Sequence, residues 1–558
     1  MTYDIIALPE AVIFQGGAML RKEKKQLSFY SVLYDKIPKG HILRKIDEAV
    51  DFGFVNDLLK DSYCENFGRP AKEPELMMRL LFLQKIYDLS DERIIEDAGY
   101  NLAYMWFLGL NPEDGLPEAS LLAKFRTQRL KEGMLDDILT ELVRQCVEKG
   151  IIKSGGIDID ATHMEANCIK KVPERMMRHL ARRIFAGLES DLEKIPDSVD
   201  TDIPNVKDIK DHKEAKRILH EYLLKVIGQA EAIGGVETKK AVDEARDVLN
   251  DEKFILQKGC RSLVDKDARV GYKSKTDSFF GYKAEFMMTA DERIITAVEA
   301  HSGEYTDGTE FDVLLERTLK SGTLADEVYG DKAYFRKGIL EKIDSIGADS
   351  YIPVSASAYR INEEMFSYNK DSDQWACFMG NHTVSKTRRT NTRKKGKTQK
   401  MDVYKFEKSQ CSDCAHRHEC MGKQTGKAKK LHISMSTALF YEHSMRQKEP
   451  GFLEKYAARA GVEWKSGEMK RFHGMSRASG FGLASVRTQV KLTAIAVNLK
   501  RIGNILIERE KDRIKSGKDS MLHSLFIYSK LVSRLLCDKF PKFHSLLNPC
   551  SVLTVSGC

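Results

Sequence analysis

Two glutamates, Glu463 and Glu468, stand five residues apart among four basic side chains in the stretch ARAGVEWKSGEMKRFHG, residues 458–474. A carboxylate set among cations does one of two things. It forms ordinary ion pairs on a helix surface, or it holds a metal ion beside a polyanion. On a helical wheel that starts at Tyr456, the side chains of Arg459, Glu463 and Lys470 fall within about 60° of it, and Glu468 points away. One face then carries Tyr, Arg, Glu and Lys, with Glu463 between cations. A surface pair of Arg459 with Glu463 at i,i+4 fits that face as well, and Gly467 weakens the helix that carries it.

Other carboxylates suit the metal reading. In GGIDIDATHM, residues 155–164, Ile157, Asp158, Ile159 and Asp160 alternate strictly, as in a half-buried strand. Both aspartates therefore point to one side, and the alternation alone does not choose between them. Asp331 closes a later strand in YGDKAYF. Strand ends and a facing helix are where an α/β sheet places ligands. Acidic groups from separate segments can hold two divalent cations about 3.5–4 Å apart, which activate a water or hydroxyl and stabilise the leaving oxygen of a phosphodiester. Hard oxygen ligands favour magnesium or manganese over zinc. The net charge of +8 supplies counter-charge for a DNA backbone if it is concentrated locally.

The elements that must position these groups can be read coarsely. Residues 40–135 read as helical, with Leu76, Leu80, Leu83 and Tyr87 at helical spacing. Ser90 is the expected N-cap of DERIIEDA and Ser120 that of LLAKFRTQRL. Lys124, Arg126 and Arg129 on short helices suit a helix-turn-helix-like DNA-binding module; a plain bundle with a solvated basic face is the alternative. From about 174 to 256 the pattern is helical again, with one stripe through Leu219, Tyr222, Leu223, Val226, Ile227 and Ala230 and another through Val242, Ala245, Val248 and Leu249. Strands are expected at 281–290 and 293–300, joined by a tight turn at Asp291 and Glu292, then a helix at FDVLLERTL and a strand at SYIPVSA, residues 350–356. That sequence of elements makes a mixed α/β domain with a central sheet. Residues 357–440 break the rhythm with a cysteine cluster and the run KTRRTNTRKKGKTQK, residues 386–400, which has eight basic residues and no acidic one. Past 452 the chain reads as helical to about 515, and the tail around FIYSKLVSRLL is also expected to be helical.

The spacing Tyr456-x2-Arg459-x3-Glu463-x6-Lys470 resembles the Y-R-E-K signature of DDE transposases from bacterial insertion sequences. DIDATHMEAN, residues 158–167, is similar to that family's first-aspartate segment, and VYGDKAYF, residues 328–335, to its second. The helical stretch from 68 to 110, followed by LPEASLLAKFR, resembles the N-terminal domain of one branch of the family. The resemblance covers roughly residues 40–172 and 262–502, in the family's order. It implies an RNase H-like mixed sheet flanked by helices, with Asp160, Asp331 and Glu463 as catalytic metal ligands for magnesium or manganese. Tyr456, Arg459 and Lys470 would contact transposon-end DNA. The choice of Asp160 over Asp158 rests on the resemblance alone.

The expected organisation is an N-terminal helical DNA-binding domain at 1–150 and a catalytic domain in three pieces, 151–173, 262–356 and 441–505. A helical insertion at 174–261 and a Cys/basic insertion at 357–440 separate those pieces, and a helical tail follows at 506–558. The expected function is metal-dependent cleavage and strand transfer at terminal inverted repeats, by a homodimer on double-stranded DNA, in the cytoplasm at the nucleoid. Two rivals are an RNase H-like nuclease that cuts without joining, and a non-catalytic DNA-binding protein descended from a transposase. A zinc-containing regulator is a third, and it leaves the Glu463 face unexplained.

Cys411, Cys414 and Cys420 form a C-x2-C-x5-C pattern whose first pair has zinc-knuckle spacing. The resemblance points to Cys377 as a fourth ligand, with His416 and His418 closer in sequence. The remaining reading is reduced thiols in a loop. No disulfide framework is expected among the 11 cysteines of a cytosolic chain. No apolar run is long enough to span a membrane, and the opening MTYDIIALPEAVIF lacks the basic start of a signal peptide. There is no Walker A loop and no Gly-rich dinucleotide fingerprint.

Overall fold

Alternation over Ile157–Asp160 builds the central strand of the computed structural model. This strand, β1 (Gly156–Glu165), drives its isoleucines into one core and turns its aspartates to the opposite face. The structure describes residues 28–63, 71–251, 254, 259–274, 276–392, 398–421 and 428–539. The opening segment, residues 393–397 of the basic run and the tail beyond 539 lie outside the described residues.

Strand β3 (Ser278–Thr289) is antiparallel to β1, to β2 (Arg269–Tyr272) and to β4 (Ile295–Ser302). On its other side β1 runs parallel to β5 (Glu327–Tyr329), and β5 parallel to β6 (Asp349–Tyr351). The six-stranded sheet therefore runs β2-β3-β1-β5-β6, with β4 also beside β3; three pairings are antiparallel and two parallel. Asp291 and Glu292 form the β3–β4 turn as expected, with Arg293 taking a positive φ of 59°. The strand expected over 350–356 ends at Tyr351, because Pro353 offers no N–H to extend the ladder.

One face of the sheet packs Ile157, Ile159, Met287 and Val328 beneath the helices Phe311–Lys320 and Lys337–Ser345. On the other, Ala284, Phe286, Met288 and Val298 share a core with the N-terminal helices and the long C-terminal helix Leu483–Lys539. Three helices, Pro173–Leu192, His212–Glu231 and Val236–Leu249, close a separate core containing both stripes expected from the sequence. The chain leaves for this unit and returns from it at one place. Lys171 and Arg261 exchange backbone hydrogen bonds of 2.9 and 3.1 Å.

At the N-terminus, Leu76, Leu80 and Leu83 are buried on the helix Pro74–Ile86, and Ser90 caps the next helix by accepting from the Arg93 N–H. Ser120 does not cap. The short helix Ala119–Lys124 starts after Glu118, which places Ser120 inside its first turn. Two of the three basic residues singled out there are used internally. Arg126 forks onto Asp91, and Arg129 donates to the Ser62 carbonyl and lies over the Tyr63 ring at 4.5 Å.

Two devices tie these parts together. Lys491 of the C-terminal helix reaches Asp136 at 2.7 Å and Glu299 of β4 at 3.1 Å, and Arg317 reaches both carboxylates at 3.1 Å. Beside it, the fully buried Asn498 pairs with the backbone of Ile295, accepting from its N–H and donating to its carbonyl, each at 2.7 Å. It thereby completes the open edge of β4, where unpaired polar groups are costly. Asn498→Ala strands both groups and should cost about 2–4 kcal/mol. The measurement is a urea midpoint that falls while the slope stays constant.

Residues 357–440, which broke the sequence pattern, form the hairpin β7 (Phe366–Asn369) and β8 (Gln374–Cys377) and a sheet of β9 (Thr383–Thr392), β10 (Thr398–Phe406) and β11 (Lys430–Ser434). Residues 386–392 and 398–400 of the basic run lie on the β9–β10 ribbon.

Candidate active site

Three segments converge on the aspartate face of β1. The parallel register pairs Asp158 with Tyr329 at the end of β5; Asp160 and Asp331 each follow two residues later, and the charge of Asp331 acts on the Asp160 carboxyl. Asp331 leaves the end of β5 as the N-cap of a short turn, its Oδ1 accepting from the Ala333 N–H at 2.8 Å. The helix Ala460–Phe472 lies across β1, with Val462 and Met469 in the core and Glu463 in its first turn.

Arg459 joins the segments. Its guanidinium is 3.3 Å from Asp160 Oδ1 and 3.5 Å from Glu463 Oε1, and the side chain is only 15% exposed. Burial works against this cation, yet Asp160, Tyr456, Asp331 and Glu463 together hold its pKa above the ordinary value. Burial pushes the Asp160 carboxyl up to about 7; Arg459 opposes the shift, and the charges of Asp331 and Glu463 reinforce it. Asp158 is fully buried with neither carboxyl oxygen hydrogen-bonded, and burial lifts it to about 7 as well.

The helix expected to run unbroken from Tyr456 is interrupted by a tighter turn over Ala457–Arg459, which joins the short helix Phe452–Tyr456 to Ala460–Phe472. That turn shifts the angular phase of Tyr456. Its ring nevertheless stays within reach of Arg459, Asp331 and Asp160, whose charges act on its hydroxyl. Lys470 sits 3.2 Å from His163 Nδ1. Burial and Lys273 bring the Lys470 ammonium down to about 8, and burial and Lys470 bring His163 down to about 4. Asp160, Asp331, Glu463, Tyr456, Arg459 and Lys470 thus all border one surface. Glu468 belongs elsewhere: it pairs with the buried Lys465 at 3.0 Å and with Lys500 at 3.7 Å.

Sequence reasoning missed Glu285. This fully buried carboxylate on β3 accepts from Tyr305 Oη at 2.7 Å, Tyr334 Oη at 2.8 Å and the Gly308 N–H at 2.5 Å. Tyr334 follows Asp331 by three residues, so Glu285 fixes the turn that carries Asp331. A lone acid inside the apolar run AEFMM was the available signal.

The donor set suits a divalent cation. It is all oxygen and partly desolvated, so a cation would relieve the repulsion felt by Asp160. As they stand, however, no three His, Cys, Asp or Glu side chains among the described residues are drawn together closely enough to hold a metal. At the carboxylates, Arg459 supplies the positive charge instead. A cavity of about 660 Å³ along the β6 edge, lined by Tyr329, Tyr351, Phe452 and Lys455, contains none of the three carboxylates. Cys377, Cys411, Cys414 and Cys420 lie apart from this site, around a separate small cavity.

Comparison with known families gives two matches. A transposase domain (DUF772) matches residues 31–128, and a transposase DDE domain matches residues 376–503. The second includes Glu463 and its flanking cations; Asp160 and Asp331 lie outside both. No curated protein and no solved structure matches the chain significantly. The two matches, one toward each end of the chain, make it similar to transposases, with the DDE type matched at its C-terminal part.

Proposed function

We propose that this chain binds the terminal inverted repeats of its element and catalyses metal-dependent strand cleavage and strand transfer there. The observation that carries the reading is Asp160, half-buried on the central strand, within electrostatic range of Asp331 and bridged through Arg459 to Glu463. The β2-β3-β1-β5-β6 order with β4 also beside β3, antiparallel then parallel, supports an RNase H-like catalytic domain assembled from 151–173, 262–356 and 441–505. Residues 1–150 would contribute the DNA-binding helices, 174–261 and 357–440 would be insertions, and 506–558 a helical tail.

In this reading Asp160, Asp331 and Glu463 would hold magnesium or manganese, whose charge would be available to stabilise a phosphodiester under attack. The chain's own cations hold the strand. Lys470, at the rim beside His163, supplies a point charge to a phosphate oxygen, and Arg459 forks onto another once it leaves Asp160. Tyr456 packs beside them. Lys124, in the last turn of its short helix, remains available to a DNA backbone where Arg126 and Arg129 are committed to internal partners. Two ends handled together call for a homodimer on DNA. No helix among the described residues is long and apolar enough to cross a membrane, and the proposed place of action is the nucleoid in the cytoplasm.

The test is a strand-transfer assay with pre-cut end duplexes, a supercoiled target and manganese. Joined product is expected. Cutting of uncut ends with no joining would favour the nuclease, and end binding with neither activity would favour the non-catalytic DNA-binding protein.

A further inference from the structure

The four cysteines near the ribbon have no part in the proposed chemistry, and their placement points to a second metal site. Cys377 ends β8, Cys411 lies in a short helix after β10, Cys414 in the following turn and Cys420 in a second short helix. Four stations spread over 44 residues of sequence, and separated by the whole β9–β10 ribbon, line one cavity of about 30 Å³. Its walls are apolar, with Phe366, Phe378 and Phe406 among them. All four thiols are free and half-buried. Burial raises the pKa of Cys420, Lys429 works against this, and Cys411, Cys377 and Cys414 raise it further, so those three sulfurs lie within electrostatic range of Cys420.

The histidines that rivalled Cys377 from sequence are placed otherwise. His416 pairs through Nδ1 with Glu419 at 3.1 Å and meets the Phe378 ring edge-on, His418 is exposed, and neither lines the cavity. Two cations complete the setting. Arg417 donates to the Cys411 carbonyl and Lys429 to the Cys420 carbonyl at 2.6 Å. A tetrathiolate zinc centre carries a net charge of −2, and cations at its edge offset that charge.

We propose that Cys377, Cys411, Cys414 and Cys420 bind one structural zinc ion as four thiolates. As described, the thiols face the cavity without being drawn to bonding distance. Zinc displaces a proton from each thiol and draws the sulfurs in to about 2.3 Å. The turn after Cys377, with Gly380 at a φ of 78°, and the loop around Cys414 lie in the half-exposed part of the chain, where side chains can close without disturbing a core. The gain is mechanical. The local core is small, with Phe366, Trp375, Tyr404, Phe406, Leu431 and Ile433 at its centre. Strand β9 of the ribbon above it, carrying Lys386, Arg388 and Arg389, is exposed from Val384 to Thr390. Zinc joins the chain just before the ribbon to the chain just after it, fixing the ribbon's foot.

This proposal is independent of the catalytic reading, and its test reads metal rather than activity. Protein produced with added zinc and purified under reducing conditions should contain about one zinc per chain by elemental analysis, and Cys→Ser at any of the four positions should remove most of it. Cys146→Ser, in the N-terminal core, and His416→Ala should keep it. If the serine variants fold poorly, cobalt added to chelator-stripped wild-type protein decides. Strong thiolate-to-cobalt absorption of a tetrahedral site is expected, and zinc should abolish it. Zinc-free protein whose thiols stay titratable when zinc is added, or zinc that survives Cys377→Ser and is lost in His416→Ala, would overturn the proposal.

Discussion

Replacing Asp160 by Asn should lower strand cleavage about 10³-fold or more, since a lost metal-ligand oxygen removes several kcal/mol of transition-state stabilisation. End binding should change little. Asp331→Asn and Glu463→Gln should behave alike, because each keeps the side chain's shape and removes a charged oxygen. Glu468→Gln is the informative control. It leaves the buried Lys465 ammonium without its carboxylate, so it should cost about 3 kcal/mol of stability and leave cleavage per folded molecule near normal. A dead Glu468→Gln beside an active Glu463→Gln would reverse the assignment.

The same substitution has a signature without metal. Asp160 and Asp158 are both pushed up to about 7 in the fold, mainly by burial. A carboxyl whose folded pKa lies above its unfolded value binds its proton more tightly when folded. Its contribution is therefore full below the unfolded value near 4 and is lost as pH rises through about 7. In chelator, the wild-type melting temperature should fall between pH 5 and 8. Asp160→Asn should flatten that fall, and manganese should reverse it in the wild type far more than in the variant.

Arg459→Ala should separate two properties that usually move together: cleavage falls, and apparent affinity for manganese rises, by about 10-fold on a scale set by one nearby charge in a partly solvated site. Arg459 was expected from sequence to face DNA. In the structure its guanidinium rests on Asp160 and Glu463 and is mostly covered. On the proposed reading it would compete with a divalent cation for the same oxygens, and removing it should ease metal binding while exposing the carboxylates to one another. Chelator-treated Arg459→Ala should accordingly melt well below wild type at pH 8 and close to it at pH 5. Arg459→Lys keeps the charge and loses the fork, so it should recover the melting temperature more fully than the cleavage. Fluorescence titration with manganese, melting at the two pH values and end cleavage are the three readings. A variant with weakened manganese binding and an unchanged melting temperature would show that Arg459 does not act as the site's internal counter-ion. Salt titration of end binding adds a fourth reading: if the guanidinium moves to a phosphate in the complex, the slope of log affinity against log salt should flatten by about one unit.

Local features of this site were legible and its long-range partners were not. The alternation at Ile157–Asp160 foretold a strand with isoleucines in the core, because period two is fixed by the backbone. Helical phase placed Glu463 rather than Glu468 beside Arg459, because one turn of helix is set locally even where a tighter turn precedes it. By contrast, the Lys470–His163 contact spans 307 residues, and the Asn498–Ile295 pairing spans 203. No periodicity announces either. Strand β9 was also hidden: it is Thr-, Arg- and Lys-rich and exposed from Val384 to Thr390, so the apolar alternation that marks a half-buried strand is missing. Arg126 and Arg129 looked like a DNA-facing pair because charge patterns record composition and not partners. Asp91 and the Ser62 carbonyl, which hold them, sit more than 30 residues away.

The reciprocal pairing of Lys171 with Arg261 bears on the history of the gene. The three-helix unit between them has its own core, and its two connections to the sheet meet like the feet of a hairpin. A stretch of DNA encoding such a unit can be gained or lost in one event, because the flanking residues are already a turn's width apart and the neighbours of β1 and β3 do not change. Length differences among related transposases should therefore gather between these two residues, while the spacing from Asp160 to Lys171 and from Arg261 to Asp331 stays nearly constant.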